Sequence, residues 1–178
     1  MTMCCNDTRW FAMRATYGRN MMAQRALDMV SIESFVPMHR RTTKVGRHIK
    51  SDMVPIVRDL IFVHATKEDI KEAKTKIAYL HYITRPIEGR NTPIEVPNEQ
   101  MEEFIRLCEG EYEVAPLDND VVYNIGGRVR IKSGSLNGTT GRLVSIQGKR
   151  TPRFSISIEG VCTMVAEVGR EDIEPIES

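Results

Sequence analysis

Four histidines, four cysteines and one dense basic run are the side chains of this sequence best suited to chemistry. His39, His48, His64 and His81 are scattered along the chain. None stands with a serine and a carboxylate in an arrangement that would build a nucleophile, and no two carboxylates can be placed together as acid and base. Cys4, Cys5, Cys108 and Cys162 form no C-x-x-C pair, and no histidine lies at ligand spacing from any of them. A metal site is therefore not expected. The adjacent Cys4 and Cys5 read as inert or oxidation-prone, and Cys108 and Cys162 as small hydrophobes. No Gly-Lys loop is present to cradle phosphate. The expectation is a protein with no catalytic residue, no metal and no cofactor, which is not an enzyme and works by binding.

The basic run is His39 to Lys50, HRRTTKVGRHIK, with five Lys/Arg, two His and no acid. Its composition around Gly46 predicts a long hairpin that turns there. Net charge over the 178 residues is +1, so bulk electrostatics do not make the molecule a polyanion binder. Contact with nucleic acid has to come from local clustering. Arg40, Arg41, Lys44 and Arg47, with Arg19 and Arg25 extending the face, are the candidates. They would hold phosphates, which position a partner without specifying its sequence. A solvated basic face reads from the same residues.

A second signal is VRIKSGSLNGTTGRLVSI, Val129 to Ile146. Two alternating runs, Val129–Lys132 and Arg142–Ile146, have the period of half-buried strands. Gly134, Gly138 and Gly141 supply the turns that let a short sheet curl. Arg128, Arg130, Lys132 and Arg142 are expected to point outward, with Val129, Ile131 and Leu143 inward. The outward charges fit either RNA or protein contact, or a plain solvated exterior.

These residues must be carried by ordered elements. Hydrophobic content of 41% and charged content of 28% suit a globular chain of one domain or two small ones. The acidic stretch Glu109–Asp120, EGEYEVAPLDND, is predicted to be a linker between domains at 1–108 and 121–178. Before it come a strand over Trp10–Ala15 and a helix with Met22, Ala26, Met29 and Val30 at helical spacing, alongside Ala23 and Leu27. A central strand follows at Arg58–Ala65. Next is a helix capped by Thr66 and Asp69, with Ile70, Ala73, Ile77 and Leu80 inward. A short strand at Tyr82–Arg85 and a helix opened by Asn98, with Met101, Phe104, Ile105 and Cys108 on its apolar face, complete the part. That order predicts an α+β sandwich of ferredoxin-like type. No apolar run is long enough to span a bilayer, and the start lacks a signal-peptide core, so no membrane contact and a cytoplasmic location are expected.

The glycine order behind Val-x-Ile and ahead of Gly-x-Leu-Val resembles a KOW motif, found in small barrels of transcription elongation factors and some ribosomal proteins. Placed after Trp10-Phe11-Ala12-Met13, Tyr17-Gly18-Arg19, Ile61-Phe62-Val63 and Pro93-Ile94-x-Val96-Pro97, it makes most of the chain, Arg9 to about Pro175, resemble NusG-type transcription factors. Val57-Arg58-Asp59-Leu60 stands where housekeeping members have Phe-Pro-Gly-Tyr. In that departure the chain looks more like the specialised UpxY-like paralogs that act on capsular polysaccharide operons.

The resemblance implies an NGN-type first domain and an SH3-like KOW barrel whose motif residues are Arg128, Val129, Gly134, Gly138 and Gly141. It implies elongation or antitermination activity through RNA polymerase, with an apolar concavity receiving the clamp of the largest subunit. The matching positions are Val57, Leu60 and Phe62, with Arg14 and Tyr17 at the rim. Leu60 and Phe62 share one strand face and could equally be core. The basic hairpin would approach upstream or non-template DNA. The barrel would recruit a ribosomal protein or termination factor. The rival reading is a ribosome-associated or RNA-binding KOW module.

Overall fold

Strand β1 (Arg9–Ala15) buries Trp10, Phe11, Ala12 and Met13 in succession, so both of its faces are covered. A continuous apolar run is what a central strand between two layers needs. The computed structural model describes residues 7–118, 120 and 122–177. Cys4 and Cys5 lie outside them. After β1 come α1 (Asn20–Asp28), β2 (Glu33–Phe35), β3 (Met38–Val45), β4 (His48–Pro55), β5 (Leu60–Ala65) and α2 (Lys67–Lys76). These are followed by β6 (Leu80–Tyr82), β7 (Thr84–Ile87), β8 (Arg90–Pro93), β9 (Glu95–Val96) and α3 (Asn98–Glu109). The remaining strands are β10 (Val114–Pro116), β11 (Tyr123–Ile131), β12 (Thr140–Ile146), β13 (Arg153–Ile158), β14 (Cys162–Ala166) and β15 (Ile173–Pro175).

The chain divides into two compact units, Met1–Pro37 with Val57–Met101, and Met38–Ile56 with Glu102–Ser178. In the first, an antiparallel sheet runs β2-β5-β1-β6, and β9 also pairs with β1. Ala12 sits opposite Phe62 and Arg14 opposite Leu60. Ile83 and Ile94 carry the ladder across the root of the β7–β8 hairpin, each bonded to Ala12. Helix α1 rests on β1, β2 and β5. It buries Ala23 and Leu27, while Met22 and Met29 point to solvent. The expected apolar face of α1 is thus split in two, and only half of it is core. Helix α2 begins with a reciprocal capping box between Thr66 and Asp69 and buries Ile70 and Ala73. Ile77 and Leu80, expected on the same helix face, follow its end and are buried as well.

The second unit holds a six-stranded antiparallel sheet in the order β10-β14-β13-β12-β11-β15. Strand β10 corrects the linker expectation, because Val114 pairs with Ala166 inside the stretch read as a tether. Five acids hide one buried valine there. Helix α3 starts one residue earlier than expected, with Asn98 already helical and the Pro97 carbonyl taking the first helical bond, and it buries Leu107 along with Met101 and Phe104. Its outer residues are bonded to the sheet: Thr140 donates to Glu103 from both its N–H and its hydroxyl at 3.3 Å, and Arg106 donates to the Thr139 hydroxyl at 3.3 Å. In β12 the inward residue is Val144, not Leu143, which is half-buried. Strand β11 carries an irregularity between Ile125 and Arg128 that shifts its register against β12.

The motif glycines serve different ends, Gly134 and Gly138 between β11 and β12 and Gly141 within β12. Gly134 and Gly138 have φ of 71° and 84°, in the region that disfavours a side chain. A Cβ on Gly141 would overlap the Ser155 carbonyl and the Phe154 ring. No helix among the described residues is long and apolar enough to cross a membrane.

Candidate docking corner and nucleic-acid hairpin

The segment between β1 and α1 folds into a strained corner. Tyr17 adopts left-handed backbone, φ 62° and ψ 32°, and Gly18 follows at φ 69°. For a tyrosine this conformation costs on the order of 1–2 kcal/mol. The surroundings hold it in place. Ala15 N–H donates to the Asp59 carbonyl at 2.8 Å and Thr16 N–H to the Tyr79 carbonyl at 3.0 Å. Gly18 N–H donates to the Asp59 carboxylate, a charge-assisted bond. Asp59 is itself left-handed, φ 69°. Beneath, the buried Asn20 donates its side-chain N–H to the Leu60 carbonyl at 3.3 Å.

This scaffold leaves the Tyr17 side chain 79% exposed. The Arg19 guanidinium lies over the rings of both Tyr17 and Tyr79, at 5.5 and 5.1 Å. Such cation–π contacts hold a ring at a surface where packing alone would not. Arg14 and Arg58 are exposed nearby in sequence and register, and Val57 is half-buried. An exposed aromatic ring flanked by arginines has the composition of an interface hot spot.

Leu60 and Phe62 do not belong to such a surface. They are 3% and 0% exposed and form core on β5. The physical reason is that β5 is covered on both faces, so residues spaced by two carry no information about a free side. Asp59, Tyr79, Asn20 and Arg58 escaped sequence reasoning. Asp59, a residue type that tolerates left-handed backbone in turns, was the one available signal.

The basic run is the β3–β4 hairpin, with Val45 opposite His48 and Gly46 at φ 60° in the first loop position. That is the sign a two-residue type II′ turn needs there. Residues 41–50 are all exposed. Alternation along the paired strands divides the charges. Arg40 and Lys44 share one face with Ile49 and Met53, and Arg41 lies on the other with Lys50 and Asp52. Arg47 sits in the turn. Lys50 is paired with Asp52 at 3.2 Å. The expected single basic surface is therefore two narrower ones. Arg19, grouped with these residues on sequence, is turned instead to the Tyr17 and Tyr79 rings.

Arg128 and Arg142 are directly opposed across β11 and β12, and both are exposed. Arg130 pairs with Glu174 at 3.6 Å. Val129 is buried between them. Among the described residues no cluster of three His, Cys, Asp or Glu could hold a metal ion.

No curated protein matches this chain. Among solved structures it is similar to the one titled "Domain interaction in Thermotoga maritima NusG", with a TM-score of 0.51 and 17% identity. That likeness covers 96% of this chain and 98% of the other, and it bears on the fold alone. Residues 8–105 match the family model described as NusG, transcription termination factor nusG, and with more than half of its length inside that match the chain belongs to the NusG family.

Proposed function

We propose that this chain is a transcription elongation and antitermination factor that docks on RNA polymerase through the Tyr17 corner. The observation that carries this reading is an aromatic side chain held in costly left-handed backbone and left almost fully exposed. Strain of this kind persists where the exposed group has a use. Arg14, Arg19 and Val57 extend the contact, and the receiving surface is the clamp of the largest subunit. Binding that favours the elongating state over paused, open states suppresses pausing without any catalytic step. The β3–β4 hairpin approaches upstream or non-template DNA. The C-terminal sheet, read as a KOW barrel, recruits a ribosomal protein or termination factor. Val57-Arg58-Asp59-Leu60 inclines the assignment to UpxY-like paralogs and to polysaccharide operons.

Tyr17→Gly separates docking from folding. Glycine accepts φ 62° freely, so stability should change by no more than about 1 kcal/mol. Loss of a hot-spot tyrosine should weaken binding to core polymerase by roughly thirtyfold or more. Pull-down and pausing assays with purified polymerase read the effect. A folded Tyr17→Gly chain that binds polymerase as the wild type does would remove the corner from the interface. A wild type that ignores polymerase but holds structured RNA tightly would favour the ribosome-associated module.

A further inference from the structure

Of the four lysines on helix α2, Lys76 pairs with Glu72 at 3.5 Å on the acidic flank and the other three share a side. At 3.6 residues per turn, Lys67, Lys71 and Lys74 fall within an arc of about 60°. Glu68, Asp69 and Glu72 lie on the opposite flank, and Asp69 is occupied in the capping box. The lysine side borders an open cleft of about 400 Å³ completed by Tyr82 of β6 and Pro93 of β8. Lys74 Nζ lies 5.0 Å from the centroid of the Tyr82 ring. Lys71 is exposed and has no ion-pair partner among the described residues. Lys67 reaches Glu95 at 3.4 Å, but that carboxylate is already held by Arg9 at 2.6 Å.

Lys67 is also the first residue of the helix, where the backbone dipole is positive and a cation is disfavoured. A merely solvated face gives no reason to put it there. The dipole and three ammonium groups raise the potential of one cleft, and the cleft has an aromatic and a proline wall.

We propose that this cleft binds a single-stranded nucleic acid, with Lys67, Lys71 and Lys74 on phosphates and a base against Tyr82 and Pro93. Charge complementarity selects a polyanion. The aromatic wall selects one that offers planar apolar faces, and only unpaired bases do so. Burial raises the pKa of the Tyr82 hydroxyl, with Glu68 and Glu95 adding to it, so the ring stays neutral beside phosphate. The site lies on a different element from the Tyr17 corner and the β3–β4 hairpin, and it stands without either.

The test is fluorescence anisotropy with the full chain and a labelled twelve-residue oligouridylate over a range of salt. Replacing all three lysines by glutamine should lower the magnitude of the log–log salt slope by about 2, as three lost phosphate contacts on a single strand require. The matching triple arginine variant should keep the slope. Tyr82→Leu should weaken the oligonucleotide roughly five- to hundredfold and leave inorganic tripolyphosphate unchanged. The lysine variants stand alone if that half-buried substitution fails to fold. An unchanged slope in the triple glutamine variant overturns the proposal. So does a polyglutamate peptide of equal charge that binds as tightly as the oligonucleotide.

Discussion

Single residues carry most of what is unusual in this chain. Tyr17 and Asp59 both take left-handed backbone, and the Asp59 carboxylate accepts from the N–H of Gly18, the residue after Tyr17. The tie holds a strained loop against a strand end, so the exposed ring is oriented before any partner arrives. The thiols show the opposite case, in which partial burial damps chemistry. Cys108 and Cys162 are pushed from 9.0 up to about 12, chiefly by desolvation. At pH 8 their thiolate population should be roughly a thousandfold below that of an ordinary cysteine. Iodoacetamide followed by peptide mass mapping should find both almost unmodified in the folded protein and fully modified in denaturant. Alkylation in the native state at the rate of a free thiol would refute the burial argument. The stability consequence has a definite sign. A raised folded pKa means that the stabilisation from neutral, half-buried thiols is complete below pH 9 and is lost as pH climbs from 9 towards 12. Replacing both cysteines by alanine should flatten the alkaline limb of the urea-midpoint profile over that window.

Elements were legible in the sequence where a local rule had a local cause. The start of α2 is one such place, since Thr66 and Asp69 bond each other's backbone N–H at 3.1 and 3.4 Å. Thr66→Ala should cost about 1 kcal/mol, seen as a lower urea midpoint with an unchanged slope. No measurable shift would mean that the box contributes nothing to folding. The turn at Gly46 was legible for the same kind of reason, because two residues fix its geometry. Three elements were opaque. Strand β10 was hidden because Val114 is the single buried residue among those described in an acidic stretch, though it pairs with β14. The β7–β8 hairpin turns at Glu88 and Gly89, φ 49° and 76°, between strands that contain Pro86 and Pro93, so composition argued against a sheet. The candidate site was half legible. Tyr17 and Arg14 came only from the family resemblance, whereas the run Leu60 to Val63 has no alternation and so no sign of which side chains are free. Sequence spacing locates a strand, but only the layers around it decide what it exposes.

At the scale of the whole molecule the question is whether charge acts in bulk or in place. Acids and bases almost cancel, leaving +1, so the mean field of the protein neither attracts nor repels DNA. Residues 109–120 are also less of a free tether than their composition suggests, since Val114–Pro116 is paired in the sheet. Any affinity for a duplex must then come from where the bases sit, above all from the β3–β4 hairpin. Replacing Arg40, Arg41, Lys44 and Arg47 by glutamine takes the net charge from +1 to 1 − 4 = −3. Replacing Lys132, Lys149, Arg150 and Arg170, which are all exposed, gives the same −3. Two variants of equal charge thus separate the two accounts. If binding is local, the hairpin variant should lose close to 4 from the magnitude of its salt slope on duplex DNA, at about 0.9 per contact. The control variant should shift affinity only weakly, through long-range repulsion that salt screens within about 10 Å. Equal losses in the two variants would mean that net charge governs binding and that the hairpin holds no privileged site. The division of its charges makes a smaller loss informative as well: a slope change near 2 would mean that the face of Arg40 and Lys44 meets the phosphates while Arg41 on the other face and Arg47 in the turn stay in solvent.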